Sequence, residues 1–174
     1  MKLIIFNGPC GVGKSTIAVR LHETLPLSIL LDADSLRRLF SGYREKREES
    51  RIVSLKLAET MMITCLDMGH DVIIDKMQFD TAVLDKYLEI AKQKGVAVKE
   101  IILWASKEVV MERAGVRGWK EGGLLTPEKC EAFWHGIDDM KDKRSNAVII
   151  DTTHLSSDES FAKVAEVVNE RDTV

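Results

Sequence analysis

The segment Gly8-Pro9-Cys10-Gly11-Val12-Gly13-Lys14-Ser15 constrains this chain more than any other stretch, because it satisfies the pattern GxxxxGK[ST] in full. It follows a short apolar run, Leu3 to Phe6, and opens onto Ile17, Leu21 and Leu25, which recur every fourth residue as on one face of a helix. Strand, glycine-rich turn and helix in that order gather unpaired N–H groups and the positive end of a helix dipole at one point. Glycines let successive N–H groups turn inward without a Cβ clash, forming a nest for anionic oxygens. A lysine at the end of that nest can reach terminal phosphates, and the next hydroxyl can meet a magnesium ion. The expected phosphate-binding residues are therefore Gly8, Cys10, Gly11, Val12, Gly13, Lys14, Ser15 and Thr16, with Ser15 as metal ligand. Cys10 reads either as a small side chain that the loop tolerates or as a point of redox control.

The rest of the chain alternates short apolar runs with helical periods. Ser28 to Leu31, Asp71 to Ile74, Val96 to Trp104 and Ala147 to Ile150 are strand-sized. Between them lie a long apolar-faced helix carrying Leu55, Ala58, Met62 and Leu66, and a second helix over Ala82 to Lys94; Gly69 and Gly95 stop them. Arg37 to Arg51 reads as a charged helix–loop–helix. Val109 to Arg113 starts a helix that a glycine-rich patch from Gly115 to Gly123 interrupts. Thr126-Pro127-Glu128 has the N-cap, first-turn proline and first-turn acid of a helix start. Ser156 to Glu159 has capping-box spacing. Strand–helix alternation predicts an α/β fold of three layers around a five-stranded parallel sheet. With no internal repeat or linker, residues 1–174 are expected to form one domain.

A net charge of −3 argues against a nucleic-acid binder over the whole surface but leaves room for a local basic groove. Three cysteines with no CxxC pair, Cys10, Cys65 and Cys130, read as reduced thiols rather than a disulfide framework. The apolar stretch after Met1-Lys2 is too short for a signal-peptide core, and no run approaches a membrane span. The expectation is a soluble, cytoplasmic protein with no membrane partner.

A phosphate loop alone does not define a reaction. No NKxD element for guanine recognition appears, and no LSGGQ-like stretch. The third strand ends Asp75-Lys76, with lysine where many hydrolytic ATPases place a water-activating glutamate. Asp32 and Asp34 follow the second strand, where open α/β sheets build their sites. Asp34 there fits a base that accepts a hydroxyl proton. It also fits a helix N-cap; Asp32 reads as structural or outer-shell. Arg37, one turn on, is placed to position an acceptor. Arg113 and Arg117 lie four apart among glycines, as on a mobile lid spanning about 113–125. Arginines arriving with such a lid neutralise a transferring phosphoryl group and exclude water. The expected reaction is transfer of the ATP γ-phosphoryl group, with Mg2+, to an acceptor hydroxyl. An ATPase or nucleotide-dependent regulatory switch is the alternative.

These motifs together resemble the small P-loop kinases that include polynucleotide 5′-hydroxyl kinases, chloramphenicol phosphotransferase and zeta-toxin kinases, with nucleoside monophosphate kinases more distant. The match is closest to the phage-type polynucleotide kinase domain. The resemblance implies a nucleoside-monophosphate-kinase-like P-loop fold with a helical lid. It also implies that Lys14 and Ser15 serve phosphate and magnesium, that Asp34 is the general base of a D-x-x-R element ending in Arg37, and that Arg113, Arg117 and Gly118 form the lid motif R-x-x-x-R-G. In that pattern Arg117 is the catalytic arginine and Arg113 binds the nucleotide. Asp75 resembles an acceptor-side carboxylate, with Gln78 beside it. Thr152 to Leu155 resembles an adenine-contacting loop. The acceptor stays open between a nucleic-acid 5′ end and a small molecule such as an antibiotic, sugar or metabolite; overall acidity does not favour nucleic acid.

Other residues carry paired readings. Arg37, Arg38, Arg44, Lys46, Arg47 and Arg51 form either a phosphate-binding groove or, with Glu45, Glu48 and Glu49 interleaved, a solvated helix. Trp119, Phe133 and Trp134 either line an acceptor pocket or pack the following helix. The four scattered histidines have no ligand spacing.

Overall fold

Buried strands are apolar on both faces, and here that pattern produces a sheet whose central strands are covered on both sides while the edge strand at Val148–Asp151 stays largely exposed. The computed structural model describes residues 1–119 and 125–170. Its strands are β1 (Lys2–Asn7), β2 (Ile29–Leu31), β3 (Val72–Asp75), β4 (Ala97–Trp104) and β5 (Val148–Asp151). The helices are α1 (Lys14–Thr24), α2 (Ala33–Arg37), α3 (Arg47–Asp67), α4 (Thr81–Gln93), α5 (Lys107–Val116), α6 (Pro127–Lys141) and α7 (Ser157–Asn169). The sheet is all parallel in the order β2-β3-β1-β4-β5, so the strand that leads into the phosphate loop lies at its centre. The expected three-layer α/β architecture with five parallel strands is the one observed.

Alternation along β1 divides the interior. Ile4 and Phe6 face one layer with Ile17, Leu21, Val110 and Val164; Leu3 and Ile5 face the other with Met62, Leu66, Leu84 and Ile137. Each fully buried side chain of this size contributes about 1.5–3 kcal/mol. Helix α6 serves both layers, Cys130 in the first and Ile137 in the second.

The predicted caps form. Thr126 accepts from the Lys129 amide, and Ser156 and Glu159 make the reciprocal capping box. Two boundaries differ from expectation. The N-cap after β2 is Asp32, whose carboxylate accepts from the Asp34 amide at 2.9 Å, so Asp34 lies inside the first turn instead of capping it. Helix α5 runs through Gly115 to Val116, with Arg117 as its C-cap and Gly118 at φ 85° closing the end. A single helical glycine costs only about 1 kcal/mol against alanine, too little to break a helix that packs Val110 and Ala114 into the core. The lid expected over 113–125 lies partly outside the described residues, at 120–124. Among the described residues, no helix is long and apolar enough to cross a membrane.

Candidate active site

The phosphate loop is held from behind. Gly8 adopts φ 139°, and a Cβ there would stand 2.1 Å from the Leu103 carbonyl oxygen of β4. Asn7, wholly buried at the end of β1, accepts from the amides of Gly8 and Gln78 and donates its side-chain amide to the Gln78 carbonyl. One side chain thus ties the start of the loop to the segment after β3. Val12 is buried, Gly13 turns at φ 99°, and α1 begins at Lys14.

Lys14 donates to the Pro9 carbonyl at 2.9 Å. Burial among the loop atoms pushes its pKa below the ordinary lysine value, with the nearby Asp75 carboxylate opposing that shift. Asp75 is the last residue of β3 and is 9% exposed. Desolvation raises its pKa above the usual aspartate value, while the Ser15 hydroxyl and Lys14 pull it down. A hydroxyl, a carboxylate and an ammonium therefore meet at the C-terminal edge of the sheet. The hard oxygens of Ser15 and Asp75 suit a magnesium ion.

A charged cleft of about 340 Å³ opens there, and Cys10, Gly11, Gly13, Lys14, Ser15, Asp34, Asp75 and Arg117 are among the residues lining it. Lys76 pairs with Asp34 at 2.8 Å across this cleft. A larger cavity of about 680 Å³ continues over the loop, walled by Thr16, Arg113 and the segment that follows β5. Arg117 lines both spaces. Arg113 holds the far wall in place, donating to the Thr152 hydroxyl at 3.2 Å and the Thr152 carbonyl at 2.9 Å.

The sequence-predicted residues thus converge, with three departures. Arg37 is directed away from the cleft: it donates to the Ser50 hydroxyl at 2.9 Å and to the Arg47 carbonyl at 2.6 Å, fastening α2 to the first turn of α3. Arg38 lines the cleft in its place. Gln78 is engaged through its backbone by Asn7 and lines a narrow apolar space beside Leu84 and Tyr87, away from the charged cleft. Asp75 sits against Ser15 and Lys14 at the phosphate loop as well as in one cleft with Asp34 and Arg38.

Sequence reasoning missed three further participants. In the sequence Lys76 stands out only as a replacement for glutamate, Asn7 follows the apolar run Leu3 to Phe6 without a motif of its own, and Cys130 has no local pattern to mark it. Of the paired readings, Trp134 donates to the Ala105 carbonyl and stacks near Trp104, so it packs α6. Phe133 pairs with Phe79 at 5.7 Å between ring centres. The charged stretch before and within α3 makes exposed pairs, Lys46–Glu49 and Arg51–Glu48, as a solvated helix does.

Sheet order, glycine loop and the helix behind it define a small P-loop protein of the nucleoside-kinase-like fold. A family model described as "AAA domain" matches residues 3–129, and the chain belongs to that family. No curated protein sequence matches significantly. Among solved structures, the Deinococcus radiodurans tunicamycin resistance protein superposes with TM-score 0.67 at 20% identity, over 98% of each chain. The Mycobacterium tuberculosis APS kinase CysC, solved with AMPPNP and APS, gives 0.66 at 20%, over 97% of this chain and 98% of that one. A chain of the Pnkp1/Rnl/Hen1 RNA repair complex gives 0.65 at 22%, over 82% of this chain but 45% of that longer one. At these identities the likeness is one of fold.

Proposed function

We propose that this protein is an ATP-dependent phosphotransferase that moves the γ-phosphoryl group to an acceptor hydroxyl, as a single kinase domain over residues 1–174. The observation that carries this reading is that Lys14, Ser15, Asp75 and Asp34 line one cleft at the C-terminal edge of the sheet, continuous with a larger cavity over the phosphate loop. Kinase folds among the solved neighbours support it, one of them solved with an ATP analogue.

In this reading the loop amides and Lys14 bind the β- and γ-phosphates, and Arg117 neutralises charge that develops on the transferring group. Ser15 and Asp75 would hold magnesium, which supplies further neutralisation of the phosphate oxygens. Asp34 accepts the proton of the attacking hydroxyl, and Lys76 orients its carboxylate through the 2.8 Å contact. Arg113 positions the loop at Thr152 against the nucleotide. Arg38, not Arg37, reaches the acceptor. Lysine at position 76 stands where many hydrolytic ATPases place a water-activating glutamate, which favours transfer over hydrolysis.

Labelled ATP and magnesium, offered with 5′-hydroxyl oligonucleotides, sugars and aminoglycoside or phenicol drugs, test the reading. Label should move to one acceptor class, and phosphate release without acceptor should be slow. Rapid acceptor-independent release would instead establish an ATPase.

A further inference from the structure

Cys10, third in the phosphate loop, and Cys130, in the first turn of α6, are 120 positions apart, yet their Sγ atoms stand 2.9 Å from each other. The proposed transfer uses neither thiol. Cys130 is wholly buried, whereas Cys10 is half-buried and lines the charged cleft. One sulfur is therefore open to a small solute and the other waits behind it. Cys65, the third cysteine, lies on α3 and packs against the opposite layer.

We propose that Cys10 and Cys130 form a reversible oxidation site, whose disulfide switches off phosphate binding by the loop.

The substrate for this chemistry is a small peroxide. The Cys10 sulfur attacks one peroxide oxygen, breaking the O–O bond, and becomes a sulfenic acid as the first water leaves. The Cys130 sulfur then attacks the Cys10 sulfur. An S–S bond forms, the S–O bond breaks, and the departing hydroxyl takes the Cys130 proton as the second water. Two thiols and one hydrogen peroxide thus give one disulfide and two waters, and an external thiol reverses the reaction. The roles follow from the surroundings. Burial and the contact with Cys10 push the Cys130 thiol up to about 12, so it is the protonated partner of the resting pair. Cys10 is the more accessible partner, in the cleft that Lys14 also lines.

Closing the bond shortens 2.9 Å to about 2.05 Å. The loop is closely backed at Gly8 and Gly11, so a pull on Cys10 is passed to its neighbours. Behind Gly8 is the Leu103 carbonyl, and a Cβ on Gly11 would stand 2.9 Å from the Val110 carbonyl. Movement at Cys10 must therefore rotate the neighbouring amides that converge on phosphate. Cys130 cannot follow, because its amide donates to the Thr126 carbonyl at 2.9 Å and its side chain is in the core.

The effect on nucleotide rests on the proposed function, and the test separates the two. Stoichiometric hydrogen peroxide should remove the mass of two hydrogens from the intact chain, and digestion should yield a peptide pair joining Cys10 to Cys130. A fluorescent ATP analogue should bind the reduced protein and bind the oxidised protein about tenfold more weakly, with recovery on adding dithiothreitol. Linkage requires the converse: in a glutathione redox buffer, saturating nucleotide should shift the dithiol–disulfide ratio toward dithiol by that same factor. Cys130→Ala should form no internal disulfide, leaving a Cys10 sulfenic acid that dimedone traps. A disulfide that involves Cys65, or none at all, overturns the site. Equal affinity of the two forms overturns the switch. Failure of the reduced protein to bind nucleotide overturns the functional reading and its regulation together, while the mass and peptide results still decide whether the oxidation site exists.

Discussion

The two spaces that meet at Gly11, Gly13 and Arg117 are built by different means. The larger one, over the loop, is walled by backbone, short hydroxyls, apolar side chains and two arginines, of which Arg113 keeps its hydrogen bonds within a single turn after β5. The smaller one is walled by charge: Asp75 and Lys76 come from the end of β3, and Asp34 and Arg38 from the short helix α2 and its C-cap. A backbone cradle recognises phosphate by shape and dipole, and it tolerates side-chain change. A charged cleft works only when each partner stands opposite its complement. Substitutions in the two spaces should therefore separate binding from transfer.

The largest effect is expected in the charged cleft. Asp34→Asn keeps the shape and removes the base, so transfer should fall by about 10²–10⁴. ATP affinity should stay within a factor of about two, since the carboxylate lies outside the phosphate cradle. Equal losses in affinity and rate would dissolve the distinction between the two spaces. Lys14→Ala, in the phosphate loop itself, should lower transfer by about 10²–10³ and also weaken ATP binding, which single-turnover rates and equilibrium titration resolve.

A smaller effect, opposite in kind, is expected on the other side. Arg113→Ala frees the Thr152 loop and should weaken ATP binding about tenfold, with little change in the rate of the bound complex. Were the turnover number to collapse instead, Arg113 would belong with Arg117 in the chemistry.

The same contrast explains what could be read from the chain. The cradle is contiguous in sequence, so eight residues with a strand before and a helix after define it. The charged cleft is assembled from residues 34, 38 and 75–76, and its parts were found unevenly. Arg37 and Arg38 differ by about 100° around a helix, so a one-residue uncertainty in register exchanges the arginine that fastens α3 with the one that faces the cleft. Asp32 and Asp34 both fit a cap by residue type; only the extended backbone of Asp32, φ −110° and ψ 108°, makes it the cap. Asp75 was visible as a strand-end carboxylate, but its side of the cleft depends on β3 pairing directly with β1, Phe6 opposite Asp75. Cys130 lies beyond any local pattern, because the contact with Cys10 exists only after α6 packs.

Asp75 also yields the smallest expected effect, and one with a sign opposite to the usual mutation. Burial raises its folded pKa above the unfolded value, so in the window just above the ordinary aspartate range the folded state holds more protons than the unfolded one. Stability therefore falls as pH rises through that window, and the ionised carboxylate opposes folding at neutral pH. Asp75→Asn removes the charge without changing the shape. It should raise Tm at neutral pH, and the gain should vanish as pH drops below the ordinary aspartate value, where both states of the parent are protonated. The same substitution should lower magnesium-dependent transfer, because Ser15 would lose its carboxylate neighbour. A variant that is more stable and less active at pH 7, and equal in stability to its parent under acid, would show that the fold tolerates strain at this position for the sake of the site. A drop in Tm at neutral pH would mean that the contacts with Ser15 and Lys14 outweigh desolvation, and that Asp75 supports the loop before any nucleotide arrives.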